Sequence, residues 1–214
     1  MLLPTIRCAS FIIASLLLVV SCGKKSSNSP MPDSGKLGDT EFVIQNSSTL
    51  TFATEGMSGS GQVLARLPAD ELAGEKNFAL SFTLQEGGSL TLGAFTTNTL
   101  VNGIQLKFER NANALKVSVS KGSVSIDVSS KFSSINASGL ISVLVDVHNG
   151  ESPAHVIAWS TNIENPSASN ADYESERDED LGTIPGQGEG TYWGLILKNA
   201  KVSKADAGAT RFED

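Results

Sequence analysis

The sequence predicts an all-β protein, a single antiparallel β-sandwich. Three observations predict it. Apolar and polar residues alternate with period two over several short runs. Clusters rich in Gly, Asn and Ser separate those runs, and helical periodicity is confined to a turn or two. Length and composition agree: 214 residues hold one domain or two small ones, and 40 % hydrophobic with 18 % charged residues is globular rather than disordered. A formal charge of −7, with 16 Lys and Arg and no basic cluster, argues against a nucleic-acid partner, which needs cations to neutralise phosphate.

Read in order, the chain begins with an address. Arg7 is the only charge among residues 1–22, and Phe11 to Val20 is almost continuously apolar. A transmembrane helix needs about 20 apolar residues. This run is shorter, follows a cation and lies at the extreme N-terminus, which are the marks of an export signal. The run ends Leu18-Val19-Val20-Ser21-Cys22-Gly23. That ending resembles the lipobox of bacterial lipoproteins: an aliphatic residue three before a cysteine, a small residue just before it, then Cys and Gly. The resemblance implies cleavage before Cys22, a diacylglycerol on its thiol and acylation of the new amine. Gly23, rather than Asp, implies sorting to an outer membrane where the organism has one. Each buried CH₂ contributes about 0.8 kcal/mol, so several acyl chains anchor stably. The other reading is an ordinary secretory signal with a stray cysteine. With Cys8 lost in the signal and Cys22 lipidated, the exported chain has no thiol nucleophile and no disulfide. Its stability must come from a packed core.

Residues 1–21 are thus expected as a signal peptide, 22–37 as a lipidated tether and 38–214 as the sandwich domain. Gly23 to Leu37 is rich in Ser, Pro, Gly and Lys and nearly free of apolar residues, as a flexible spacer is. Leu67–Ala73 reads as a short helical turn. Then come the alternating runs. Phe78, Leu80, Phe82 and Leu84 share one face of a strand; so do Ile104, Leu106 and Phe108; Leu115, Val117 and Val119; and Val124, Ile126 and Val128. Glu86-Gly87-Gly88-Ser89, Asn111-Ala112-Asn113, Lys121-Gly122-Ser123 and Ser138-Gly139 read as the turns between them.

The order of these segments resembles concanavalin A-like and laminin G-like domains over about residues 40–214. Phe78–Leu84 fits an early inner strand, Gly87–Gly93 the next, and Gly103–Phe108 with Leu115–Val119 the meander that follows. Trp193–Val202 fits the late strand that returns beside the first. The resemblance implies a jelly-roll sandwich. It leaves the function open, because that group includes lectins, adhesion modules and glycoside hydrolases.

Catalytic patterns are scarce. Hydrolases of this group that resemble laminarinases carry Glu-x-Asp-x-x-Glu on a strand, since nucleophile and acid must face one bond about 5 Å apart. The nearest match is Glu174-Ser175-Glu176-Arg177-Asp178-Glu179-Asp180, which lacks a strand's alternation. That acidic run reads first as a solvated loop. The sharper reading is a calcium loop using Asp172, Glu174, Glu176, Asp178 and Asp180, because Ca²⁺ takes 6–8 oxygen ligands. Its spacing fits no established loop pattern. The sequence has no Gly-x-Ser-x-Gly elbow and no His-Glu-x-x-His.

The most informative segment is Ile141–Ser160. Ile141, Val143, Val145 and Val147 form one face of a strand, Asn149–Ala154 a turn, and Val156 and Ala158 the apolar face of a returning strand. If those faces share the core, pairing parity is fixed. The other face then carries Leu144, Asp146, His148, His155, Ile157 and Trp159. The two histidines, the only ones in the chain, stand opposite each other in the simplest register. Three readings fit: a packed face, a ligand face in which Trp159 stacks on a sugar while Asp146, His148 and His155 bond its hydroxyls, and a Zn²⁺ or other transition-metal site.

Three functions follow from these readings. The chain is expected to be a lipid-anchored module of the cell envelope that binds a glycan or a protein. The alternatives are a structural or assembly lipoprotein without a small ligand, and a hydrolase.

Overall fold

A computed structural model of the protein describes residues 33–47, 49–69, 76–148, 155–159 and 191–207. These form eleven antiparallel strands: β1 (Ser34–Leu37), β2 (Thr40–Ser47), β3 (Thr51–Ala53), β4 (Gly56–Arg66), β5 (Lys76–Phe95), β6 (Ile104–Asn111), β7 (Ala114–Lys121), β8 (Val124–Asp127), β9 (Ile141–His148), β10 (His155–Trp159) and β11 (Tyr192–Ala207). No α-helix occurs among the described residues; 3-10 geometry is found at Ser129–Phe132 and at Ala69. The all-β antiparallel sandwich read from the sequence is the fold.

Strands β5 and β11 run side by side over almost their whole length, from Tyr192 opposite Phe95 to Ala207 opposite Phe78. Yet Phe78 and Trp193, which belong to opposite ends of this ribbon, have ring centroids 5.3 Å apart. A straight strand would separate Phe78 from Ala94, the partner of Trp193, by roughly 50 Å. The ribbon therefore folds over on itself. Its two halves become two facing sheets, with the apolar side chains of both between them. Phe82 meets Phe108 at 5.1 Å across the same interior, and Phe108 meets Phe132 edge-on at 5.7 Å.

The fold line is written into several strands at one level. Pairing shifts in β11 between Lys198 and Ala200, where Asn199 has φ 48°. In β5 it falls at Gly87-Gly88, and a side chain on Gly88 would strike the carbonyl oxygen of Asn199 at 2.6 Å. In β4 it falls at Gly59, whose φ is 117° and whose missing Cβ would lie 2.3 Å from the Thr49 carbonyl oxygen. Ser60 and Asn199 tie the corner together: the Asn199 amide donates to Ser60 Oγ at 2.9 Å, and Ser60 Oγ donates to Asn199 Oδ1 at 3.3 Å. Strands that change sheets through bulges are the usual way a folded sheet makes its corners.

The first sheet runs β1-β2-β4-β11-β5-β6-β7-β8, using the Gly61–Arg66, Tyr192–Lys198 and Ser89–Phe95 parts of the bent strands. The second holds β3, the remaining parts of β4, β11 and β5, then β9 and β10. The predicted alternation of β6 and β7 is present: Leu106, Phe108, Val117 and Val119 are buried, while Lys107 and Glu109 face outward and pair at 2.8 Å. The meander and the return of β11 beside β5 are as expected.

Several expectations are corrected. The tether does not extend to residue 37, because Ser34–Leu37 pairs with β2 and Leu37 is buried. The Glu86–Ser89 cluster does not reverse the chain. Both halves of β5 pair with the same neighbour, so the glycines bend one strand rather than join two. Strands β1 to β4 were not read from the sequence. Val124, expected in the core, lies at the sheet margin and is 39 % exposed. The expected helical turn at Leu67–Ala73 lies mostly outside the described residues.

Candidate functional site

Strands β9 and β10 pair in the expected register, with His148 opposite His155, Asp146 opposite Ile157 and Leu144 opposite Trp159. The hairpin thus brings the backbone positions of Asp146, His148, His155 and Trp159 to one corner of the second sheet. Residues 149–154 lie outside the described residues, and of these four side chains only the register position is described. Neighbours on the same face report on its surroundings. Leu144 and its cross-strand partner Ala79 are each 1 % exposed, although both stand outside the main core cluster. Beside them, Ser81 Oγ and Ser142 Oγ share a 3.1 Å hydrogen bond. The face is covered at the level of Leu144. Val143 and Val145, on the opposite face, are buried in the core as expected.

Cys22 and the acidic run Asp172, Glu174, Glu176, Asp178 and Asp180 lie outside the described residues. Among the described residues no group of three or more His, Cys, Asp or Glu is placed to hold a metal ion. Among the described residues one carboxylate is perturbed. Asp127 accepts hydrogen bonds from the Ser129 hydroxyl and amide, which hold its carboxyl below the usual aspartate range. These bonds secure the start of the 3-10 turn and lead to no cleft chemistry.

A second region was not found from the sequence. Among the described residues four other hairpins close with two residues: 38–39, 54–55, 112–113 and 122–123. The β5–β6 connection, from Ala94 to its partner Ile104, takes residues 95–103. It folds back over the outer face of the first sheet. Phe95 and Leu100 are buried there, outside the main core cluster. They can pack so closely because Gly93 and Gly194, paired across β5 and β11, carry no side chain. A Cβ on Gly194 would lie 3.1 Å from Leu100 Cδ2 and 2.5 Å from the Val63 oxygen; one on Gly93 would lie 2.8 Å from the Phe95 ring. Leu100 and Asn102 have φ of 56° and 59°, a conformation that costs a non-glycine residue on the order of 1 kcal/mol or more. Internal bonds hold the loop: Leu100 N to the Thr97 oxygen at 3.0 Å, Thr96 Oγ1 to the Val101 oxygen at 3.0 Å, and Thr97 Oγ1 with Thr99 Oγ1 at 2.8 Å.

This loop is a ridge with a cleft on each side. One cleft, of about 380 Å³, is lined by Gln45, Asn46, Gln62, Asn98 and Thr99. The other, of about 440 Å³, is lined by Thr96, Asn102, Gly103, Gly122 and Ser123. Every lining side chain is an amide, a hydroxyl or absent, and none is charged. The amide groups of Gln45, Asn46, Gln62, Asn98 and Asn102 make no side-chain hydrogen bond to another described residue. The signal available in the sequence was the uncharged polar run Thr96-Thr97-Asn98-Thr99, between the expected strands Gly87–Gly93 and Gly103–Phe108.

No protein family matches the chain, and no curated protein matches it. Among solved structures it is similar to a carbohydrate-binding module, CBM66, from Bacillus subtilis, at a TM-score of 0.45 and 9 % identity, over 78 % of this chain and 94 % of that chain.

Proposed function

We propose that the chain is a lipid-anchored module of the cell envelope that binds a glycan or an envelope protein. The observation that carries this reading is the pair of uncharged polar clefts astride a braced loop. A binding surface needs convergent polar groups on a rigid support, and the sandwich supplies the support. The Leu18–Gly23 lipobox supports the address, and residues 23–33 separate Cys22 from β1 in the sequence. The 144–159 face fits the packed reading better than the ligand or metal readings, because Leu144 and Ala79 on it are buried. The calcium loop at residues 172–180 stays an expectation of the sequence.

The anchor is tested by Cys22→Ser, with radiolabelled palmitate and membrane fractionation. Lost labelling and lost membrane retention are expected, and a mutant that labels and fractionates normally rejects it. The binding half is tested by co-sedimentation of the lipidated protein, in phosphatidylcholine vesicles, with isolated cell envelopes. Absence of any association rejects it.

A further inference from the structure

We infer that the ligand is a neutral polysaccharide, held astride the 96–103 ridge by the two clefts. The inference rests on the envelope-module reading above and names its site and its chemistry.

The first argument is the cost of the loop. Among the described residues four hairpins close with two residues, yet nine lie between Ala94 and Ile104. Two of the nine, Leu100 and Asn102, are non-glycine residues at positive φ. Backbone strain that persists against a cheaper turn is a reason to look for function there. The paired glycines beneath fix the ridge in place, so Asn98 and Thr99 are presented to one side and Thr96 and Asn102 to the other.

The second argument is charge. Amides and hydroxyls both donate and accept, which matches sugar hydroxyls that do the same. Anionic glycans, nucleic acids and phosphate headgroups are met by Arg and Lys, which neither cleft contains. The formal charge of −7 also repels them. A protein partner would call for apolar anchors inside the clefts. The exposed large apolar side chains near the clefts, among the described residues, are Val101 on the ridge, 50 % exposed, Val124 beside Ser123, 39 % exposed, and Tyr192 opposite Phe95, 39 % exposed; none of them lines a cleft. These offer contact to the C–H face of a sugar ring.

The test uses the full lipidated protein in phosphatidylcholine vesicles, captured on a sensor surface. Dextran, laminarin, mannan, xylan and inulin are passed over it, with alginate and heparin as anionic probes and isolated cell envelopes as a further analyte. Binding to at least one neutral polysaccharide and to neither anionic probe is expected. The paired changes Gln62→Ala with Asn98→Ala, and Asn102→Gly with Ser123→Ala, should each weaken that binding tenfold or more with unmoved melting temperature. Glycine at 102 keeps the positive φ. Asn98→Asp, of the same shape but without the amide's donor, should weaken binding in the same direction and serves if either pair fails to fold. Neutral binding that every folded variant retains overturns the site and leaves the module reading intact. Binding to alginate or heparin alone overturns the ligand class. Binding to envelopes but to no polysaccharide overturns the inference alone, and binding to neither overturns it together with the reading it rests on.

Discussion

Truncating Leu100 separates what its side chain does from what its backbone does. The side chain is 3 % exposed and packs on Gly194 across the sheet. Removing a buried leucine to alanine costs about 2–5 kcal/mol, and a satellite cluster outside the main core belongs near the lower end, about 2–3 kcal/mol. The backbone argues the other way. At φ 56° any residue with a Cβ is strained by roughly 1 kcal/mol or more, and glycine is not. Leu100→Gly should therefore be about 1 kcal/mol less damaging than Leu100→Ala. In ordinary strand or helix positions the order is reversed, with glycine worse by about 0.5–1 kcal/mol. Urea denaturation followed by tryptophan fluorescence measures both variants on one scale, and hydrogen exchange over residues 95–103 shows whether the loss is local. If the glycine variant proves the less stable of the two, the ridge is not held in the conformation described. If neither variant moves the midpoint, the loop opens independently of the sandwich and its bracing is illusory.

Other expectations follow from the same structure. A chain starting at residue 38 loses β1 and buried Leu37, so it should be about 2–3 kcal/mol less stable than one starting at residue 33, and equal denaturation midpoints would restore the longer tether. Trp159→Ala should cost about 3 kcal/mol or more, because position 159 stands opposite buried Leu144; an unchanged melting temperature with lost ligand affinity would instead make that face the binding surface. Ser129 depresses the folded-state pKa of Asp127. That contribution to stability is present above the unfolded aspartate pKa and is lost as pH falls through the lower folded value. An NMR titration of the Asp127 carboxyl should show the depressed midpoint, and Ser129→Ala should return it upward; a midpoint that does not respond to the substitution contradicts the assignment.

The parts of the fold that the sequence revealed are those whose two faces differ. In β6 and β7, Leu106, Phe108, Val117 and Val119 point inward while Lys107, Glu109, Lys116 and Ser118 point out, and the period of two is plain. In β5 the distinction fails. Asn77, Ala79, Ser81 and Thr91 are buried on the outer faces, and the glycines at 87 and 88 imitate a turn. In β4 the glycines at 56, 59 and 61 interrupt any alternation, so a strand of eleven residues went unread. Gly56 closes the β3–β4 turn, while Gly59 and Gly61 lie where the fold line shared with β11 and β5 crosses the strand, a tertiary reason that local periodicity does not encode.

The same contrast divides the two candidate sites. The facing histidines were legible because valine parity and a short connection fix a register within one hairpin, and the register is local information. What covers that face is not local, and buried Leu144 could not have been read from its neighbours in sequence. The ridge is less local still. Its conformation depends on Gly93 meeting Gly194, more than a hundred residues later in the chain, and its clefts on residues from β2, β4 and the β7–β8 turn. None of those residues carries a catalytic or metal-binding signature. Their common property is the absence of charge, which becomes informative only once the fold has gathered them on either side of one loop. A search for reactive residues passes over such a surface, because neutral hydroxyl recognition requires many ordinary amides in fixed positions rather than one perturbed group.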